Sequence, residues 1–238
     1  MKIALIGYGK MGKAIEEIAL QKGHTIVAKI DQDNLAELAT LSKENCDVAI
    51  EFTNPEAAKE NILSLLKQGV PVVSGSTGWV SELEAVQAFC QSVNGSFIYA
   101  SNYSVGVNLF FALNEKLATL MQDQPQYQAK LKEVHHTAKK DAPSGTAITL
   151  AEQIIAANSR YDHWNNEARE QQGALQILSE REDPAPGTHH IKYAGEVDEI
   201  EIIHTAHSRK GFAAGAVLAA EYIANKTGVF NMKQVLGI

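Results

Sequence analysis

Cysteine is scarce in this 238-residue chain: only Cys46 and Cys90 occur, far apart and without CxxC spacing. That argues against a disulfide framework and a structural zinc site, and it suits a reducing compartment such as the cytoplasm. Long apolar runs are missing too. Nothing approaches the roughly 18 consecutive apolar residues that a membrane span needs. The short run Ile3–Ile6 is broken at once by glycine, so it reads as a buried strand and not as a signal peptide. Positive charge is in deficit, with 21 Lys+Arg against 28 Asp+Glu and a net charge of −7. An acidic chain is a poor partner for nucleic acid or an anionic membrane. Internal repeats and low-complexity segments are absent. At 45% apolar and 21% charged residues, the composition is that of a globular protein of one large or two modest domains.

The first hundred residues alternate short β-branched runs with helical spacing. Strands are expected at Ile3–Ile6, Thr25–Ile30, Asp47–Phe52, Val70–Val73 and Phe97–Ala100, and helices over 11–22, 55–67 and 79–91. That rhythm predicts a parallel sheet covered on both faces. It is lost near residue 104. A helix over 105–121, a strand over 128–136 and a helix over 144–158 follow. Strands at 174–179, 189–193 and 197–205 come next, in succession, so the second part is α+β with a mixed sheet. An Ala-rich helix from Gly211 to Lys226, ending at Gly228, has the apolar length to return to the first domain. The expected fold is α/β: a Rossmann-type parallel-sheet dinucleotide-binding domain of residues 1–104 and 213–238, and a substrate domain of residues 105–212.

Gly7-Tyr8-Gly9-Lys10-Met11-Gly12 is a GxGxxG that follows a strand and opens a helix, with Asp31 ending the next strand 19 residues after Gly12. Such a turn lets backbone approach a pyrophosphate at a helix N-terminus, while the acid can take the adenosine ribose hydroxyls. The plainer readings are a ligand-free glycine turn and a solvated acid. Gly75-Ser76-Thr77-Gly78 follows the fourth strand, where small hydroxyl residues can touch the nicotinamide side of a cofactor or simply make a turn.

The stretch His135-His136-Thr137-Ala138-Lys139-Lys140-Asp141-Ala142-Pro143-Ser144-Gly145-Thr146 is the most unusual. Ser144 is placed to N-cap a helix whose first amides, at Gly145 and Thr146, can bind a carboxylate, with the lysines adding to the field. A capped helix after a solvated loop is the alternative. No metal is expected: neighbouring strand histidines point to opposite faces and no carboxylate completes a cluster. His189, His190, His204 and His207 read as packed or solvated, and Ser208-Arg209 as a cation after the last strand.

Over nearly its whole length the chain resembles the 4-hydroxy-tetrahydrodipicolinate reductases, also called dihydrodipicolinate reductases. The resemblance is carried by HHTAKKDAPSGTA (135–147), EFTNPEA (51–57), GSTG (75–78), ASNYSVGVN (100–108) and HSRKGFAAGAV (207–217). Two departures are the tighter GYGKMG loop in place of GxxGxxG, and Gln32 where some members carry a basic residue beside the acid. The second bears on dual cofactor use. The resemblance implies a cytoplasmic, homotetrameric NAD(P)H-dependent oxidoreductase of lysine and diaminopimelate biosynthesis. Its substrate would be a cyclic dicarboxylate, and its cofactor NADH, with NADPH as the accepted alternative. It implies His135 as general acid/base and Lys139 as a proton donor. His136, Gly145 and Thr146 would hold substrate carboxylates. Gly7, Tyr8, Gly9, Lys10, Met11, Gly12, Asp31, Gly75, Ser76, Thr77, Ala100, Ser101, Asn102 and Tyr103 would contact the cofactor. The rival readings are another Rossmann reductase acting on an amino or imino acid, which has no reason to carry DAPSGT, and a nucleotide sensor without turnover.

Overall fold

The structure, a computed structural model, describes residues 1–167, 171–208 and 210–238. In chain order the elements are β1 (Lys2–Ile6), α1 (Lys10–Gln21), β2 (Thr25–Ile30), β3 (Val48–Glu51), α2 (Pro55–Lys67), β4 (Val72–Ser74), α3 (Leu83–Ser92) and β5 (Ser96–Tyr99). Then come α4 (Val105–Met121), β6 (Gln128–His135), α5 (Gly145–Ala157), β7 (His163–Asn165), β8 (Ala174–Arg181), β9 (Gly187–Ala194) and β10 (Glu199–Ala206). The chain closes with α6 (Lys210–Ile223), β11 (Gly228–Phe230) and α7 (Met232–Leu236). Internal contacts divide it into two units, Met1–Val105 with Lys210–Ile238, and Gly106–Arg209.

The first unit is a six-stranded parallel sheet in the order β11-β5-β4-β3-β1-β2. Its inner strands β1, β3, β4 and β5 read as apolar runs because both faces are buried, whereas the edge strand β2 alternates. Ala4, Ile6, Ala49 and Val72 pack on the side of α2 and α3, whereas Ile3, Leu5, Val48, Ile50 and Val73 pack with residues of α1 and α6. Pro55 opens α2 behind Asn54, whose side chain accepts from the Ala57 amide at 2.9 Å. Strand β1 has β2 on one side and β3 on the other, so the order reverses between β1 and β3. Ligands of open α/β sheets bind outside the strand C-termini at such a point.

Three short elements differ from the expectation. The last long helix ends at Ile223, and Gly228, expected to cap it, instead starts β11, donating its amide to Gly95 at 2.8 Å. A three-residue strand is too short to show a period, and Gly228 by itself reads as a helix end. The helix expected at 79–91 begins as a 3₁₀ turn over Val80–Glu82, and β7 was not anticipated.

The second unit is a five-stranded mixed sheet, β10-β9-β6-β8-β7, antiparallel on the β9 side of β6 and parallel on the β8 side. Helix α5 covers one face through Ala147, Leu150, Ala151 and Ile154, packed on Leu131, Ile177 and Ile191. Among the described residues no helix is long and apolar enough to cross a membrane.

Candidate active site

The glycine loop is built as close packing demands. Gly7 has φ +89°, and a Cβ there would lie 2.0 Å from the Phe52 carbonyl oxygen; one on Gly12 would lie 2.3 Å from the Gly7 carbonyl oxygen. A Cβ on Gly9 would meet nothing within 4 Å. Gly7 and Gly12 therefore serve the turn and the helix contact, while Gly9 leaves room for a ligand. Gly9 is also the N-cap of α1 and has no capping side chain, so the helix start presents its backbone groups. The loop borders a cleft of about 270 Å³ lined by Tyr8, Asp31, Gln32, Leu35, Thr53 and Asn54.

Asp31 follows β2 and caps the 3₁₀ segment Gln32–Thr40, accepting from the Gln32 amide at 2.9 Å. It is exposed at the rim of that cleft. Tyr8 donates its hydroxyl to Glu16, and the Lys29 ammonium lies 4.9 Å from the Tyr8 ring centre and 2.5 Å from Glu16. The Glu16 carboxyl is held below its usual range by Lys29 and then by Tyr8. Lys10 and Lys13 stand on the first turn of α1 beside this cluster.

Glu51, at the end of β3, organises the loop after β4. Fully buried, it accepts from Ser74 Oγ and Ser76 Oγ, each at 2.6 Å, and from the Thr53 amide at 2.9 Å. Ser76 is thus spent inward, while Thr77 is exposed and Gly75 packs against the Phe52 ring. The Ala100 amide donates to the Ser74 carbonyl, Ser101 is exposed, and half-buried Asn102 accepts from the Ser104 amide at 2.9 Å. The Tyr103 side chain is buried with its hydroxyl on the carbonyls of Ser74 and Ile98, so it offers a ligand only its backbone.

In the second unit the register of β6 builds a polar cluster on an apolar floor. Leu131 lies between Ile177 of β8 and Ile191 of β9, all fully buried. Two residues on, Glu133 lies between Ser179 and His189; two further, His135 lies beside Arg181. Glu133 is fully buried, and its carboxylate accepts from Ser179 Oγ at 2.8 Å and from the Ser144 amide at 3.1 Å to both oxygens. His135 Nε2 stands 3.3 Å from Glu133 Oε2, and His189 Nε2 stands 3.7 Å from the same oxygen and 3.2 Å from Ser144 Oγ. The two rings meet edge to face at 5.3 Å. Burial opposes the charge on Glu133, but the histidines, Ser144 and Ser179 outweigh it and hold the carboxyl well below its usual range. Burial pushes His189 down. His135 Nε2 is buried, and no protein group meets it in hydrogen-bond geometry.

Gly187 makes room for this ring: a Cβ there would approach His135 Cε1 to 2.8 Å. After His135 the strand ends and the chain turns, which carries His136 away from the buried row. Lys139 pairs with both oxygens of Asp141 at 2.8 Å. Arg181 donates to the carbonyls of Asp141 at 2.6 Å and Lys139 at 3.4 Å, tying the loop to β8. Ser144 caps α5 through the Ala147 amide at 3.2 Å. Thr146 stands in the first turn of α5, and a Cβ on Gly145 would meet nothing within 4 Å, so that face of the helix start is open to a ligand.

The structure thus brings together His135, Ser144 and, close in sequence, Lys139, Gly145 and Thr146. It also shows what the motif reading missed. The expectation that no carboxylate completes a cluster is corrected: one ligating atom each from Glu133, His135 and His189 lie within 4.8 Å of one another. Both Glu133 oxygens are, however, already taken by Ser144 and Ser179. Glu133 and Arg181 have a sequence signal, the period of two along β6 and β8; His189, expected to be packed or solvated, has none. Arg209, expected to supply a cation, lies outside the described residues.

His189 makes stability pH-dependent with a definite sign. A buried imidazole with a lowered pKa is protonated more readily when unfolded. Its contribution is full above the ordinary histidine range near 6.5 and is lost as pH falls below it. Glu133, also lowered, adds a loss that sets in below its ordinary value of 4.5. Wild type should therefore lose more Tm between pH 7.5 and 5 than His189→Gln does; equal losses would contradict this.

The sequence profile described as dihydrodipicolinate reductase, N-terminus, matches residues 1–103, and that described as dihydrodipicolinate reductase, C-terminus, matches residues 106–236. The chain is 50% identical to a 4-hydroxy-tetrahydrodipicolinate reductase of Christiangramia forsetii over 99% of this chain and 98% of the relative. It is 33% identical to that of Ralstonia nicotianae over the full length of both. A dipicolinate-bound dihydrodipicolinate reductase from Paenisporosarcina sp. TG-14 shares its fold at a TM-score of 0.76 and 22% identity, over 97% of each chain.

Proposed function

The chain belongs to the dihydrodipicolinate reductase family, and from that premise we propose how its residues divide the work. The reaction is the NAD(P)H-dependent reduction of 4-hydroxy-tetrahydrodipicolinate to tetrahydrodipicolinate, in lysine and diaminopimelate biosynthesis. The first unit carries the nucleotide-binding domain of such reductases. Its open Gly9 and the uncapped start of α1 suit a pyrophosphate, and Asp31 suits the ribose hydroxyls. Tyr8, Lys10, Met11, the 75–77 loop and the 100–103 backbone complete the cofactor contacts. The bound nicotinamide supplies the hydride.

The second unit supplies the proton and holds the dicarboxylate. Reduction of a ring carbon conjugated with an imine moves charge toward the ring nitrogen, and a proton must be delivered; loss of the hydroxyl as water also calls for an acid. A histidine suits that delivery near neutral pH. The observation that carries the assignment is the buried, unaligned Nε2 of His135 beside a carboxylate. Lys139 exchanges Asp141 for a substrate carboxylate and stabilises developing charge as a second proton donor. The amides of Gly145 and Thr146, with His136, hold the carboxylates.

Pyridine-2,6-dicarboxylate should inhibit competitively, since it keeps both carboxylates on a flat ring. Thr146→Val should raise KM by a modest factor, because it removes a hydroxyl and leaves the amide. Gly145→Val should raise KM further by filling the open space at the helix start. Absence of inhibition in steady-state assays would count against the site.

The preferred cofactor is NADH, with NADPH used equally well or less. Asp31 would face the 2′-phosphate of NADPH; Lys29 is already neutralised by Glu16, while Lys10 and Lys13 on the first turn of α1 would dilute the repulsion. Like unit charges about 4 Å apart cost on the order of 1 kcal/mol in water-like surroundings and more when partly buried, so about tenfold in affinity is expected. Asp31→Ala should improve NADPH relative to NADH. Oxidation of NADH and NADPH, measured side by side with substrate made from aspartate semialdehyde and pyruvate, tests both activity and preference. A wild-type preference for NADPH of about tenfold or more would refute the cofactor argument.

A cytoplasmic homotetramer formed through the second unit completes the reading. Leu178 and Ile203, half-exposed on the sheet face turned away from α5, support it, and light scattering on the purified chain tests the oligomer.

A further inference from the structure

We propose that Glu133 is a positioning residue for the reduction: its buried carboxylate holds the His135 ring in place and ties it to the first turn of α5. The proton-delivering ring and the carboxylate-holding helix start then move as one body. The inference rests on His135 being the proton donor.

The placement is specific. Strand positions facing α5 are apolar up to Leu131, where the row changes to Glu133, Ser179 and His189. A fully buried carboxylate is costly unless well satisfied. Its donors here are Ser179 Oγ and the Ser144 amide, with both imidazoles alongside. The Ser144 amide belongs to the residue that caps α5, so one carboxylate grips both the helix start and the histidine row. The contact with His135 is close but unaligned, at 3.3 Å. The carboxylate therefore stands against the ring without a linear hydrogen bond to Nε2. His189 from β9 meets the ring edge to face, Arg181 of β8 is the register partner of His135 with a nitrogen 3.9 Å from Glu133, and Lys139 with Asp141 lies on the following loop. Arg181 and Lys139 are the cations of this neighbourhood, and Lys139 is paired with Asp141. Glu133 is the acid on the ring's own strand and the nearest of them.

The test is Glu133→Gln, Glu133→Asp, His135→Gln and the double variant Glu133→Gln/His135→Gln, with kcat measured against pH and NADH binding followed by fluorescence. A general acid must stay protonated, so activity falls above its pKa, and removing a neighbouring negative charge moves that fall to lower pH. Glu133→Gln should lower kcat roughly 10–100-fold, move the basic limb about one pH unit down and leave NADH binding unchanged. Glu133→Asp keeps the charge but withdraws it, so its limb should move the same way by less. In the His135→Gln background the Glu133→Gln change should cost less than about twofold, because residues that act as a unit are not additive. A carboxylate with only a structural part would lower Tm and kcat, leave the limb in place and act additively with His135→Gln; that result overturns the proposal. If Glu133→Gln does not fold, an unmoved limb in Glu133→Asp overturns it equally. A His135→Gln variant that keeps most of its activity would instead sink the underlying assignment of the proton donor, which the single variants keep distinct.

Discussion

His135→Gln should lower kcat by roughly 10²–10⁴-fold, the usual worth of a general acid, with little change in NADH affinity. Glutamine keeps much of the size and one donor but cannot cycle a proton near neutral pH. His135 is buried, on the last residue of β6, with Gly187 making room for its ring. The substitution therefore removes chemistry with little repacking, and the nucleotide cleft is lined by residues of the first unit alone. Lys139→Ala should differ in kind: it removes a cation from ground and transition states alike, so KM for the dicarboxylate rises as kcat falls. His136→Gln should act mainly on KM. Steady-state kinetics of the three variants distinguish them. A His135→Gln enzyme retaining more than about half of wild-type kcat would move proton delivery to Lys139 or to water.

How much of this was legible in the sequence depends on how local each signal is. The glycine loop was readable because its requirements are steric and lie within six residues: Gly7 and Gly12 would clash with backbone, and Gly9 would not. The strands of the parallel sheet were readable as apolar runs. The strand β11 was not, since three residues carry no period and its partner β5 lies far away in the chain. Glu51 stood inside a quoted motif, yet its role in gripping Ser74 and Ser76 depends on the β3–β4 register. Glu133 is the instructive case. An acid two residues before His135 on an alternating strand must share its face, so the pair could be read from one dimension. That His189 and Ser179 close around it could not, because those partners come from strands whose order in the sheet, β9-β6-β8, skips the sequence order.

Gly215→Ala should destabilise the protein markedly, against the general preference of helices for alanine. Gly215 lies on the buried side of α6, and a Cβ there would come within 1.7 Å of the Tyr103 carbonyl oxygen and 2.7 Å of its carbon. Neither partner can yield easily. Tyr103 is anchored by its hydroxyl to Ser74 and Ile98, while α6 is seated on the sheet through Ala213, Ala216 and Ala220. Overpacking typically costs about 1–3 kcal/mol, and a clash with backbone belongs at or beyond the upper end. The helix-propensity gain of alanine over glycine offsets about 1 kcal/mol, which leaves a net loss of about 2 kcal/mol or more. For a chain of this size that is a fall of roughly 4–8 °C in Tm. Because Tyr103 closes the 100–103 segment proposed to contact the cofactor, NADH binding should weaken as well. Gly9→Ala gives the opposite pattern: its Cβ meets nothing within 4 Å, so Tm should hold while NADH binding falls, the methyl occupying the space left for the pyrophosphate. Calorimetry and fluorescence titration of both variants decide the matter. An unchanged Tm for Gly215→Ala, or unchanged NADH affinity for Gly9→Ala, would show that the glycine in question serves neither the packing nor the ligand space assigned to it.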